Sequence, residues 1–458
     1  MLLGVILAFA TVVSAQSAPK KPAAKKPAAH RTTKKTPAKK PAASAKNAKS
    51  TNTKTTAHRR SVRRTPVKPL PPPEPVAVEI ANRDDSLAPF YKALADKTAP
   101  VRIVHFGDSH VAADIWTRYL RTAFQDRFGD AGPGLVLPGS VFRGYRRAGV
   151  AIHAPARSWQ GVTLRKPPSD GLLGLPGAAL VGHAEAPAAT ATARFSSFEL
   201  ELAARPGETA CAEVNVEDDA GQKENVELER ESLEARQYGS LLLMRNRDPL
   251  PLATHTIAVA GCDGAAGPTV VGLDLRGQDP RGGSGPGVIY DSFGINGVTF
   301  AELDDIPAQL RQDLLARLNP TLIIVSYGTN DMGARDFSKP AYQERCIRLL
   351  KALREEAPGA AVLVTGPIDR PGRTTKTRDY FHERSDMTID ALAAAARETG
   401  CAFWDARAAM GGFGALLRWR KSSLAQTDLV HLTDSGYQML AKMLAGALMP
   451  AEVPAGTP

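Results

Sequence analysis

Residues 101–129 read VRIVHFGDSHVAADIWTRYLRTAFQDRFG, and the two halves obey different periodicities. Val101 to Phe106 is a short, β-branched apolar run that Gly107 stops, the pattern of a buried strand. Beyond it Trp116, Leu120, Ala123, Phe124 and Phe128 recur at helical spacing, and Gly129 stands where a helix C-cap belongs. The stretch therefore reads as strand, tight turn and helix, with Gly107-Asp108-Ser109 at the turn. The same grammar returns downstream. Leu322 to Tyr327 (LIIVSY) precedes a helix from about 341 to 356, and Ala361 to Thr365 is closed by Gly366 and Pro367. A helix around 387–399, a strand from Cys401 to Trp404 and a last helix from Asp434 to about Leu448 follow. Strands alternating with helices predict an α/β fold, a parallel sheet covered on both faces.

Between roughly Ser140 and Tyr290 the pattern changes to alternating apolar and polar residues. Phe195 to Leu202 (FSSFELEL), Cys211 to Val216 (CAEVNV), Thr256 to Ala260 and Val270 to Leu275 show it, with Gly and Pro between them. A β-rich insertion at 140–290, a sandwich by its pattern, is expected to divide the α/β domain into parts at 76–139 and 291–450. The four cysteines lack the CxxC spacing of a zinc site or redox pair, so no metal site and no cofactor is expected. Cys211 and Cys262 share the middle segment and are the favoured disulfide pair in an exported chain. Connectivity does not follow from sequence, and Cys346 and Cys401 can equally be buried small hydrophobes. Trp159 could stack on a sugar ring, although a lone Trp in a β-rich segment more often fills a core.

The net charge of +11 conceals a division. Of the 58 Lys and Arg, 17 lie between Lys20 and Lys68, which leaves 41 basic against all 47 acidic residues; the rest of the chain is net −6. From 17 to 75 the composition of Ala, Lys, Pro, Thr, Ser and Arg cannot bury enough apolar area to offset chain entropy, so a disordered linker is expected there, with another short tail at 451–458. Met1 to Ala15 (MLLGVILAFATVVSA) is an apolar run of signal-peptide length ending in small residues, and 1–16 is expected to be a signal for export to the periplasm or cell envelope. If it is cleaved, no transmembrane span remains. Its n-region has no Lys or Arg, which leaves a retained anchor open. A basic tail on an acidic body is either a tether to anionic wall polymer or lipid head groups, or a solvated spacer. Nucleic acid is not the expected partner of an exported chain.

Three motifs can support chemistry. Ser109 sits at a strand-to-helix turn, where its hydroxyl is exposed and its N–H points toward the helix start. Asp428 precedes His431 by three residues, so its carboxylate can accept the Nδ1–H and leave Nε2 as a base for a hydroxyl that must lose its proton. Asn330, in Gly328-Thr329-Asn330-Asp331, follows the strand Leu322 to Tyr327, and ligands of open α/β sheets bind at that carboxyl edge. Its amide can donate to an oxyanion, together with the Ser109 N–H and the N–H of a glycine, for which Gly297 is the candidate and Gly294 the neighbour that competes with it. Each motif alone also has a plainer reading: a helix cap, a buried histidine, turn residues.

Taken together, GDS after the first strand, a glycine block, GTND after an inner strand and DxxH before the last helix resemble the SGNH/GDSL hydrolases. The first block reads GDSH and runs on to Asp114 and Gly129-Asp130-Ala131-Gly132-Pro133-Gly134. With Phe403-Trp404-Asp405, Ala409-Met410-Gly411-Gly412 and DLVHLTDSGY, it is similar to the peptidoglycan O-acetylesterase branch. The likeness covers about 101–138 and 287–448. It implies a three-layer, flavodoxin-like parallel sheet with an insertion like a carbohydrate-binding module. It also implies Ser109 as nucleophile, His431 as base, Asp428 as its orienter, and Ser109, Gly297 and Asn330 as the oxyanion hole. The implied activity is removal of O-acetyl groups from cell-wall polysaccharide. Transfer of acetyl to a sugar by the same triad, or a non-catalytic wall-binding protein on this scaffold, are the alternatives.

Overall fold

A computed structural model of the protein describes residues 70–449 apart from 97, 113, 264–265 and 278–286. The signal expected at 1–16, the linker as far as 69 and the tail at 451–458 lie outside the described residues. The last residues of that expected linker are held to the body: the Leu70 N–H donates to the Lys421 carbonyl at 3.1 Å, and the Ser422 hydroxyl to the Pro71 carbonyl at 2.9 Å.

Five parallel strands lie in the spatial order Val288–Gly294, Val101–Gly107, Leu322–Ser326, Ala361–Thr365 and Ala402–Trp404. Numbered along the chain this is 2-1-3-4-5, the flavodoxin-like order, whose switch point lies between the first and third strands. The strands are apolar throughout because both faces are covered. Val104, Phe106, Ile323, Val325, Val362 and Val364 face one buried cluster, shared with Leu310 and Leu314 of helix Ala308–Leu318 and Leu349 and Leu350 of helix Lys339–Glu356. Ile103, Leu322, Ile324 and Leu363 face the other, against Leu120 and Phe124 of helix Trp116–Phe128 and Leu440 and Leu444 of helix Asp434–Leu448. Alternate residues on each strand thus serve opposite layers.

Helix Thr375–Glu398 starts 12 residues before the expected 387. Its first turns are polar and exposed and have no apolar stripe to read. They are held instead by a reciprocal cap: Thr374 Oγ1 accepts from the Thr377 N–H at 3.2 Å, and Thr377 Oγ1 from the Thr374 N–H at 2.8 Å.

The intervening segment forms a seven-stranded and a four-stranded antiparallel sheet. Its limits differ from 140 and 290. Strand Gly134–Val136 already pairs with Thr269–Arg276, and Val288–Gly294 crosses the expected boundary to pair with Val101–Gly107 in the parallel sheet. The run FSSFELEL is two strands, Ala189–Phe195 in the smaller sheet and Ser197–Ala204 in the larger, which part at Ser196. Cys211 and Cys262 form a disulfide, whereas Cys346 and Cys401 are buried thiols. Trp159 is buried and its indole N–H donates to the Pro187 carbonyl at 2.7 Å, so it is a core residue.

A buried ion network joins the larger antiparallel sheet to the parallel one. Arg102, on the first parallel strand, donates from Nε to Asp291 Oδ2 at 2.7 Å and from Nη2 to Asp274 Oδ1 at 2.6 Å. Asp291 belongs to the adjacent parallel strand and Asp274 to the insertion. All three side chains are at most 5% exposed, so loss of one partner would leave a buried charge uncompensated, a change that costs about 3–5 kcal/mol.

Candidate active site

The turn after strand Val101–Gly107 is tight for a steric reason. A Cβ on Gly107 would lie 2.4 Å from Val111 Cγ2 and 2.9 Å from the Ser326 carbonyl oxygen. The chain then enters the short helix Ser109–Ala112, with Ser109 half-buried between buried Asp108 and His110. Asp108 Oδ1 accepts the His110 N–H at 2.9 Å and braces the turn from within.

Ser109 Oγ lies 2.8 Å from His431 Nε2, and His431 Nδ1 lies 2.7 Å from Asp428 Oδ2. With the carboxylate accepting Nδ1–H, Nε2 has its lone pair free and the serine hydroxyl donates to it. Asp428 Oδ1 accepts the N–H groups of Val430 and His431, each at 3.0 Å. Burial pushes the Asp428 carboxyl upward, but the bonds from the His431 ring and the two N–H groups outweigh it and hold the carboxyl below its usual range. The loop that presents this pair is closed at its base, where the Gln426 N–H donates to the His431 carbonyl at 2.8 Å and Gln426 Nε2 to the Leu432 carbonyl at 3.0 Å. At its tip Leu429 is buried with φ +60°, a left-handed conformation that a leucine adopts only under constraint.

Asn330 follows strand Leu322–Ser326, and its Nδ2 donates to the Val298 carbonyl at 2.9 Å and, weakly, to Asp108 Oδ2 at 3.5 Å. Gly297 precedes Val298 and has φ +78°, so a side chain there would be strained. Gly294 serves packing instead, because a Cβ on it would lie 2.3 Å from the Ala112 N; its bareness lets the Ser109–Ala112 helix sit against its strand. Ser109, His431 and Asp428 form one hydrogen-bonded chain, and Asn330 lies against Asp108, the residue before Ser109. Gly297 lies one residue from the carbonyl that Asn330 grips.

Two buried carboxylates hold these loops, and neither stands out in the sequence. Asp331 Oδ1 accepts the Phe300 N–H at 3.2 Å and Oδ2 the Gly328 N–H at 3.1 Å, clamping the Gly297 loop to the Asn330 loop. Phe300 is stacked on Tyr327 at 5.3 Å in the same clamp, which accounts for a bulky residue at the end of the glycine block. Burial raises the Asp331 carboxyl to about 6 and that of Asp108 to about 7. Burial also lowers His110 to about 3, so this ring beside Ser109 is neutral; its Nδ1 lies 2.8 Å from the Tyr437 hydroxyl. Asp114, the residue to which the GDSH block extends, accepts from Arg121 and from the Ala148 N–H, both at 2.8 Å, and ties the helix after Ser109 to the insertion.

The Asp108 shift has a sign. A carboxyl whose folded value exceeds its unfolded one favours folding fully at pH below the unfolded value, and that contribution ebbs as pH rises through about 7. We expect the thermal midpoint to fall between about pH 5 and pH 8 and to fall less in Asp108→Asn. Melting curves with equal slopes in both proteins would remove Asp108 from this account.

Among the described residues there is no group of three or more His, Cys, Asp or Glu placed to hold a metal ion, and no helix long and apolar enough to cross a membrane. A cavity of about 890 Å³ lies between residues 75–85 and the last helix, and Ser109, His431 and Asp428 are not among its walls.

Residues 255–439 match the model of the GDSL-like lipase/acylhydrolase family. That segment contains Gly297, Asn330, Asp428 and His431; Ser109 precedes it, on the far side of the insertion. No curated protein matches. Among solved structures, a peptidoglycan O-acetylesterase superposes with a TM-score of 0.62 at 24% identity, covering 79% of this chain and 95% of that one. An acetyl xylan esterase (15% identity, 36% of this chain and 82% of that one, TM-score 0.26) is also similar. So is a family two carbohydrate esterase from Cellvibrio japonicus (12%, 64% and 97%, TM-score 0.27). Residues 255–439 thus carry the pattern of the GDSL-like lipase/acylhydrolase family, and the parallel sheet has the fold of the SGNH hydrolases with further antiparallel sheets added to it.

Proposed function

We propose that the chain is an exported acetylesterase that removes O-acetyl groups from cell-wall glycan of the peptidoglycan kind. The observation behind this reading is the unbroken hydrogen-bonded chain from Asp428 through His431 to Ser109 at the carboxyl edge of the sheet. Ser109 Oγ attacks the ester carbonyl while His431 Nε2 takes its proton, and Asp428 stabilises the imidazolium so formed. The Ser109 and Gly297 N–H groups and Asn330 Nδ2 receive the oxyanion. One N–H of Asn330 is committed to Val298; the other makes only a long contact with Asp108 and is available to a stronger acceptor. Collapse breaks the ester bond, and the departing sugar oxygen takes the proton from His431. Water, deprotonated by the same imidazole, then attacks the acetyl-serine and releases acetate.

The glycan assignment draws on the likeness to a peptidoglycan O-acetylesterase over most of both chains, and on the GDSH and DLVHLTDSGY blocks. Residues 1–16 would direct export, and the basic stretch 17–69 would meet the anionic wall or lipid head groups. Acetate release from O-acetylated peptidoglycan, measured beside acetylated xylan, tests the substrate. A clear preference for xylan would overturn it. Asn330→Ala should lower turnover on either ester by about 10²–10³-fold, the usual effect of losing one oxyanion donor. A loss of less than about tenfold would take Asn330 out of the oxyanion hole.

A further inference from the structure

The residue after Ser109 has no part in the steps above, yet it touches the base. His110 is 5% exposed, and its ring lies against that of His431, with centroids 5.3 Å apart and planes tilted by 45°. Its Nδ1 lies 2.8 Å from the hydroxyl of Tyr437, a buried residue in the first turn of helix Asp434–Leu448, which follows His431. The backbone beneath His110 is fixed as well. Asp108 Oδ1 accepts its N–H at 2.9 Å, and the short helix that carries it is seated against the bare Gly294. Ser109 and His431 stand 322 residues apart in the chain, so the 2.8 Å between Oγ and Nε2 depends on how that short helix meets the start of the last one. His110 spans the same gap a second time, through its bond to Tyr437 and its contact with His431.

The arrangement is costly. Nε2 of His110 is buried and has no hydrogen-bond partner among the described residues. An unsatisfied buried nitrogen is destabilising, and a leucine of similar size would fill the space without it. What a leucine lacks is the bond to Tyr437, which fixes how the ring is turned. A fixed face is what His431 needs: its imidazole is tied at Nδ1 by the bond to Asp428, and a ring held at one atom can still swing about that bond. A rigid neighbour packed against it stops the swing. Burial keeps the His110 ring neutral, so it does not repel the imidazolium that forms when His431 takes the Ser109 proton.

We propose that His110 is a positioning residue for the base: anchored to Tyr437, its ring holds the His431 imidazole in the plane from which Nε2 reaches Ser109. This rests on the acetylesterase reading. Because His431 moves a proton both when the acetyl-serine forms and when water removes it, loss of His110 should slow both steps alike. Stopped-flow hydrolysis of p-nitrophenyl acetate by the full chain separates them, the burst reporting acylation and the steady state deacylation. In His110→Leu both rates should fall by about ten- to a hundredfold, as expected for a base displaced by the order of an ångström, while KM changes less than about twofold. The melting temperature should stay within about 3 °C of the native value, since the variant loses one hydrogen bond and one unsatisfied nitrogen together. Tyr437→Phe keeps the bulk and removes the anchor, and should slow both steps by about two- to tenfold. Added to His110→Leu it should cost less than about a further twofold, because it acts through the His110 ring. Native rates in folded His110→Leu, fully additive losses in the double variant, or losses that merely track the unfolded fraction in both single variants would overturn the positioning role alone. Absence of both burst and turnover in the native protein would overturn it together with the acetylesterase reading.

Discussion

Replacing Ser109 with alanine should lower turnover of an activated acetyl ester by roughly 10⁶-fold, the scale on which serine hydrolases depend on their nucleophile. The initial burst of product should vanish with it, since no acetyl-enzyme can form, and a serine-reactive phosphonate should no longer label the chain. The fold should survive. Ser109 is half-buried and its side chain makes one hydrogen bond, to His431, so the change in stability should be about 1 kcal/mol. An alanine variant with the same melting temperature and undiminished turnover would leave the proposed mechanism without a nucleophile.

Asp428→Asn should cost about 10⁴-fold in kcat, and the geometry says why so small a change has so large an effect. Oδ1 of Asp428 receives two backbone N–H groups, so an asparagine must keep its carbonyl oxygen there. Its NH₂ group then faces His431 Nδ1 in place of Oδ2. Donation from that amide fixes the proton of the ring on Nε2, the nitrogen that must accept from Ser109. The imidazole is held in place but in the wrong tautomer. Ring-nitrogen NMR shifts should report the exchange alongside the rate, and an Asn variant with native turnover would show that Asp428 does not orient the base.

Legibility follows the range of the interactions. VRIVHF, LIIVSY and AVLVT declare themselves because a strand covered on both faces is apolar at every position, a local property. Val288–Gly294 reads as the end of the insertion, since the partner that makes it a parallel strand lies almost two hundred residues earlier in the chain. Ser109, Asp428 and His431 stand in short motifs whose spacing already states their geometry. Asp331 is different: it shares the GTND block with Asn330, but its purpose lies in an N–H at Phe300 that no local pattern announces.

The central strand Val101–Gly107 finds one neighbour in Val288–Gly294 and the other in Leu322–Ser326. During synthesis it is therefore made long before anything can pair with either of its edges. Its first partner begins 181 residues after it ends (107 to 288) and its second 215 residues after (107 to 322), so most of the chain must emerge before both edges are covered. Throughout that interval a β-branched apolar ribbon has two open sides, the condition under which chains join one another and aggregate. The insertion, whose strands pair mostly among themselves, can close in the meantime. The parallel sheet should thus assemble around a finished β-rich body, and the final docking of that lone strand should be its slow step.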